Sequence, residues 1–182
     1  MSKDRLSTIS YVVLGLIGLR GPSTSYDLKR AVGRSVGFFW PFPHAQLYSE
    51  PRRLADRGLL DVSTENEGRR RQTFSLTEKG DQALRDWLSE PVTEPMQVRD
   101  VAEMKLFFAE LSAEGDIDSL AAEQIRQHKE RLGTYLEMER RYEGVEGVSA
   151  RMVPLRLGLR LERTALEFWE ELAAERGVSV ES

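Results

Sequence analysis

The sequence contains no cysteine. Disulfides, thiolate metal sites and cysteine nucleophiles are therefore excluded, and the absence fits a reducing, cytoplasmic setting. Long apolar runs are also missing: nothing approaches the about 18 uninterrupted apolar residues that mark a membrane helix. The opening Met1-Ser2-Lys3-Asp4-Arg5 carries an acid, and no convincing signal-peptide cleavage site follows it. His44 and His128 are the only histidines. There is no Walker loop, HExxH or nucleophile elbow, and Gly15-Leu16-Ile17-Gly18 falls inside a helical pattern rather than a phosphate loop. The expectation is a protein that is not an enzyme and that uses no cofactor and no metal.

What charge there is divides unevenly. The formal net charge of −4 looks wrong for a nucleic-acid binder. Residues 1–90, however, hold 14 Lys/Arg against 11 Asp/Glu, whereas residues 91–182 hold 12 against 19. A mildly basic half followed by an acidic half suggests two tasks in one chain.

Residues 7–19 place Ile9, Val12, Val13, Leu16 and Ile17 at helical spacing, and Arg20-Gly21-Pro22 stops that helix. Thr24 with Asp27 three residues on is a capping-box variant that opens a second helix with Leu28, Ala31 and Val32 inward. Residues 37–43, Gly-Phe-Phe-Trp-Pro-Phe-Pro, cannot continue it. The aromatic cluster Phe38-Phe39-Trp40-Pro41-Phe42 is expected to pack as core beneath a loop, with a wedge into DNA or an aromatic ligand site as the alternatives. A third helix spans about 44–57 with Leu47, Leu54 and Ala55 inward. Pro51 predicts a kink or an irregular first turn there. Leu60, Val62 and Thr64 alternate with polar residues, Asn66-Glu67-Gly68 is a turn signal, and residues 72–76 alternate again: a β-hairpin. Thr77 caps a fourth helix to about 89. Helix, helix, loop, helix, hairpin, helix is the order of a winged helix-turn-helix.

Glu90 to Pro95 is the credible linker, so the predicted domains are 1–90 and 91–182. Beyond it the pattern is helical: about 101–111, a long helix at 116–142, and a last helix at about 149–176. Ala121, Ile125, His128, Leu132, Tyr135 and Tyr142 form a heptad seam broken at Glu139. On that seam His128 reads as a hydrogen-bonded core or interface imidazole. The last helix has two apolar stripes, Met152, Leu155, Leu159, Leu166 and Trp169, and Val153, Leu157, Leu161, Ala165, Phe168 and Leu172. One stripe suffices for a surface helix, so a second copy of the chain is expected to cover the surplus. The predicted dimer interface comprises Leu155, Leu159, Leu161, Leu166, Phe168 and Trp169. The fold class is mainly α (α+β), a winged helix-turn-helix followed by an α-helical dimerisation domain.

Several segments resemble the PadR family of transcriptional regulators. They are residues 9–17 (Ile-Ser-Tyr-Val-Val-Leu-Gly-Leu-Ile), Gly21-Pro22, Ser25-Tyr26-Asp27-Leu28, Gln46-Leu47-Tyr48, residues 53–60 (Arg-Leu-Ala-Asp-Arg-Gly-Leu-Leu) and residues 70–80 (Arg-Arg-Gln-Thr-Phe-Ser-Leu-Thr-Glu-Lys-Gly). The match spans most of residues 7–89, and the helices beyond resemble the longer, Vir-type members. The resemblance implies a homodimer that binds inverted-repeat, double-stranded DNA and usually represses nearby genes, with a small molecule or stress signal relieving repression.

The residues support a parallel reading. A recognition helix offers its first turns to base edges in the major groove. His44, Gln46 and Ser49 stand there, although His44 reads equally well as a helix cap. Tyr48, Arg52 and Arg53 suit phosphates, with burial of Tyr48 and solvation of the arginines as alternatives. The resemblance also associates the Tyr48 position with DNA contact. Ser25 and Tyr26 open the second helix and could hold a backbone phosphate. Arg69, Arg70 and Arg71 at the hairpin suit a minor groove or its phosphates, or form a solvated edge cluster. Phe107, Phe108, Tyr135, Phe168 and Trp169, with Trp87, either build a dimer core or line a cavity for a small hydrophobic effector. A winged-helix protein-interaction adaptor is the alternative function.

Overall fold

The computed structural model describes residues 6–65 and 70–177. The chain divides into two compact units, Met1–Pro95 and Met96–Ser182.

In the first unit, α1 (Thr8–Arg20), α2 (Ser25–Val32) and α3 (His44–Asp56) precede a hairpin of β1 (Leu60–Thr64) and β2 (Gln72–Leu76), and α4 (Glu78–Ser89) closes the unit. The periodic apolar residues of α1 and α2 supply the core: Ile9, Val13, Leu14, Ile17, Leu28 and Val32 pack with Leu47, Leu54, Leu59, Leu60 and Phe74. The α2 cap forms as its sequence predicts. The Asp27 N–H donates to Thr24 Oγ1 at 3.2 Å, and Asp27 Oδ2 accepts from the Thr24 N–H at 3.1 Å.

The strands pair antiparallel, with Leu60 opposite Leu76 and Val62 opposite Phe74. Ser23 adds a bridge on the other side of β2, exchanging two 2.9 Å backbone bonds with Phe74. Only Leu60 of β1 is buried; Val62 and Thr64 are exposed, so the expected inward alternation fails where the hairpin leaves the core. Gly80 sits on the Leu59 carbonyl so closely that a Cβ there would lie 2.1 Å from its oxygen.

Helix α3 runs from His44 to Asp56 with Pro51 inside it, so of the two alternatives expected there the irregular first turn does not form. The Pro51 ring is fully buried on the same face of the helix as Leu47 and Leu54, and burial of its apolar surface works against the loss of one backbone donor. The aromatic cluster does not form core: Phe38, Phe39 and Trp40 are exposed, and only Val36 and Phe42 pack inward. A 3-10 turn at Val36–Phe38 brings Gly37 against the Val32 carbonyl, where a Cβ would lie 2.7 Å away. The turn thus seats by its backbone and leaves the rings outside.

The second unit contains α5 (Val101–Phe107), α6 (Asp116–Tyr142) and α7 (Met152–Glu175). Helices α6 and α7 pack along each other, and Ala102, Ala121, Ile125, Trp169 and Ala173 form a small core. The predicted seam of α6 is covered as far as Tyr135, whereas Tyr142 is exposed. Lys129 pairs with Glu170 at 3.4 Å, and Arg176 pairs with Asp118. Among the described residues no helix is long and apolar enough to cross a membrane, and no cluster of His, Asp or Glu is arranged to hold a metal ion.

Candidate nucleic-acid interface

Helix α3 has two chemically distinct faces. Leu47, Glu50, Pro51 and Leu54 are buried at the spacing of one helical face; Gln46, Tyr48, Ser49, Arg52 and Arg53 are exposed on the other. The Ser49 hydroxyl donates back to the Ala45 carbonyl at 3.3 Å, which leaves its oxygen free to accept. Arg52 Nε lies 3.3 Å from Asp56 Oδ1 in an exposed pair. The His44 side chain lies outside the described residues.

Arg53 is placed differently from Arg52. Its Nε and Nη2 donate to the two carboxylate oxygens of Glu50 at 2.8 and 2.6 Å. Glu50 is only 7% exposed and also accepts from the buried Ser10 hydroxyl at 2.5 Å. Burial pushes the Glu50 carboxyl upward. The hydrogen bonds from Arg53 and Ser10 and the charges of Arg53 and Arg57 outweigh it, holding the group below the usual glutamate range. The spacing of α3 could have revealed Glu50 as an acid on the inward stripe with a cation three residues on. Its α1 partner Ser10, forty positions away, carried no local signal.

At the head of α2, Ser25 is half-buried and Tyr26 is exposed, with the Arg30 guanidinium 5.9 Å from its ring centroid. Asp27 is held below the usual aspartate range, first by the hydroxyl and N–H of Thr24 and further by the charges of Arg71 and Arg30. On the hairpin, Arg70 and Arg71 are exposed, and Arg70 adopts a positive φ of 46°. The Arg71 carbonyl accepts from the Glu65 N–H at 3.1 Å, extending the hairpin past its strands. Arg69 lies outside the described residues.

In the helical unit the six predicted interface residues separate. Leu159 and Trp169 are buried within the chain's own packing, and Leu155 and Leu166 are half-buried. Leu161 and Phe168 remain 48% and 49% exposed, in line with Val153 and Leu157. Between α6 and α7, the buried Glu162 carboxylate meets His128 Nδ1 at 2.6 Å and accepts from Arg131 Nη1 at 3.3 Å. Burial, then the charge of Glu162, raises the Tyr135 phenol above its usual range. Trp87, grouped by the sequence with the aromatics of a dimer core or effector cavity, instead stacks on Tyr11 at 4.5 Å in the first unit. Around α5, Val98, Met104, Phe107 and Phe108 line an open depression of about 610 Å³ together with Arg99, Asp100 and Glu103.

Three helices, a hairpin carrying two exposed arginines and a helix with one polar face define a winged helix-turn-helix protein. Residues 13–86 match the profile of the transcriptional regulator PadR-like family, and residues 98–175 match that of the virulence activator alpha C-terminal domain. The chain thus joins a PadR-like family domain to a virulence activator alpha C-terminal domain and is homologous to PadR regulators. It is 27% identical over 129 residues to the negative transcriptional regulator PadR of Bacillus subtilis, covering 70% of each chain. The crystal structure of Bacillus subtilis PadR in complex with operator DNA superposes with a TM-score of 0.83 at 24% identity, over 93% of this chain and 99% of that one. The structure of the same protein in complex with p-coumaric acid gives a TM-score of 0.78 at 24% identity, over 98% and 100%.

Proposed function

We propose that this regulator is a cytoplasmic, sequence-specific DNA-binding protein that acts as a homodimeric repressor. The outward polar face of α3 carries the proposal. Gln46 and Ser49 can offer hydrogen bonds to base edges, and Tyr48 and Arg52 can reach phosphates. Arg70 and Arg71, continued by Arg69, would follow the backbone beside the groove. Support for pairing comes from Val153, Leu157, Leu161 and Phe168, an apolar stripe of α7 that stays exposed among the described residues of its own unit. Two recognition helices about 34 Å apart would then meet successive major grooves of an inverted repeat. The depression around α5 is of a size suited to a small hydrophobic or aromatic effector that relieves repression. The p-coumaric acid bound by Bacillus subtilis PadR is a chemical precedent.

The test is a mobility-shift assay on duplexes covering the chain's own upstream region, with mass measured in solution. A dimer binding one duplex with steep salt dependence is expected. Binding that ignores sequence and salt would sink the proposal. A second reading, an adaptor that binds protein, draws on exposed Phe39 and Trp40 beside α3. It predicts that replacing both by alanine abolishes partner capture and that no duplex is preferred.

A further inference from the structure

The recognition helix carries an acid that its proposed task does not call for. A carboxylate facing a phosphate backbone adds repulsion, and a buried one destabilises the fold unless it is fully paired. Glu50 is paired on both oxygens. It accepts from Ser10 Oγ at 2.5 Å, from Arg53 Nε at 2.8 Å and from Arg53 Nη2 at 2.6 Å. Arg53 Nη2 also lies 2.9 Å from Ser10 Oγ, which accepts from the Ser7 N–H at 3.1 Å. The group thereby ties α3 to the first turn of α1.

We infer that Ser10, Glu50 and Arg53 form a positioning clamp that fixes the recognition helix against α1, with the Arg53 charge committed to Glu50 instead of a DNA phosphate. The inference rests on the DNA-binding reading above. The Nε–Nη2 edge of a guanidinium is one of the two edges that grip an oxyanion in two-point fashion, and here Glu50 occupies it. A pair with no net charge contributes nothing to counterion release. Arg52 differs: its 3.3 Å pair with Asp56 is exposed on both sides, and a phosphate can displace the acid. Leu47 and Leu54 pack on the same face through non-directional contacts, whereas the clamp sets both the rotation and the axial position of the helix. Gln46 and Ser49 lie within the turn before Glu50 and its neighbours, so a small rotation there moves them off their bases.

The test begins with the wild type, which selects its preferred duplex from a random-sequence pool; sheared salmon-sperm DNA serves as the non-specific probe. The double variant Glu50→Gln, Arg53→Gln removes the paired charges without altering net charge. Affinity for the selected duplex is expected to fall roughly tenfold, about the effect of one mismatched base pair. Affinity for salmon-sperm DNA and the slope of log K against log salt stay unchanged. A slope shallower by about 0.9 would place Arg53 on a phosphate and overturn the inference. Equal losses on both DNAs, or no loss on either, would overturn the positioning role. Ser10→Ala, with all charges intact, answers the same question should the double variant fail to fold. Reduced discrimination at constant slope is expected, and retained discrimination overturns the clamp. A wild type that selects no duplex refutes the DNA-binding reading itself, before any variant is made.

Discussion

The two units keep opposite chemistry on the faces they leave open. On α3 the exposed residues are Gln46, Tyr48, Ser49, Arg52 and Arg53, whereas on α7 they include Val153, Leu157, Leu161 and Phe168. Their interiors are alike in one respect: each contains a buried glutamate, Glu50 or Glu162, held by an arginine and a second polar group from the neighbouring helix. A polar open face can be satisfied by water until a polyanion replaces it. An apolar face loses free energy in water at roughly 25 cal/mol per Å² and calls for a dry partner. The same architecture of packed helices thus serves two different kinds of encounter, chosen by the side chains pointing outward.

The largest expected effect separates the two stripes of α7. Trp169→Ala should cost about 3–5 kcal/mol of stability, because Trp169 fills the core between α6 and α7. Phe168→Ala, one residue earlier and half exposed, should cost well under about 1 kcal/mol. Denaturant melts at low protein concentration check this, and similar losses would erase the distinction between stripes. Next comes the hairpin: replacing Arg69, Arg70 and Arg71 together by alanine should weaken DNA binding on the order of 100-fold and flatten the salt dependence, with the melting temperature unchanged. An unaltered salt slope would remove the hairpin from the interface. The pair Leu161→Glu, Phe168→Glu should weaken self-association roughly 30-fold in sedimentation equilibrium, leaving each chain folded. Persistence of the dimer would assign pairing to another face.

A smaller effect is expected with pH. Glu50 and Asp27 both have folded carboxyls below their ordinary range, so each contributes stability above that range that is lost as pH falls through the depressed folded value. Melting temperature should therefore decline below about pH 4, and Glu50→Gln should make that decline shallower. An identical decline in the variant would exclude Glu50 as a source. The smallest effect is expected at Arg126, which bonds Glu123 and Glu130 on the exposed side of α6. Arg126→Ala should leave the melting temperature unchanged within error, as exposed pairs usually do; a clear drop would give the surface network a structural part.

Periodicity made the helices legible, because a stripe repeating every three or four residues has few other solutions. Local hydrogen bonding made the start of α2 legible: Thr24 and Asp27 are near enough in sequence to be read together. The same logic put Gln46, Tyr48, Ser49 and Arg52 on the outward face of α3. Contacts between distant segments were not legible. The Ser23–Phe74 bridge and the Ser10–Glu50 bond join residues whose separate surroundings in sequence give no hint of each other. Arg53 shows the cost of this, since its type and position suggested a phosphate ligand while the distant Ser10, which joins it on Glu50, gave no local signal. The aromatic run was misjudged for another reason. Composition says that Phe and Trp favour burial, but a backbone turn decides which way they point.

Gly80 shows what such a scaffold asks of inheritance. With the Leu59 carbonyl oxygen 2.1 Å from where any Cβ would stand, the start of α4 admits one residue type, and the strand that opens the hairpin is held to the same place. Open positions such as Gln46 and Ser49 have no such confinement and can drift by single substitutions. A lineage descending from this chain can thus acquire new target sequences by changing a few outward residues, while position 80 passes from ancestor to descendant unaltered.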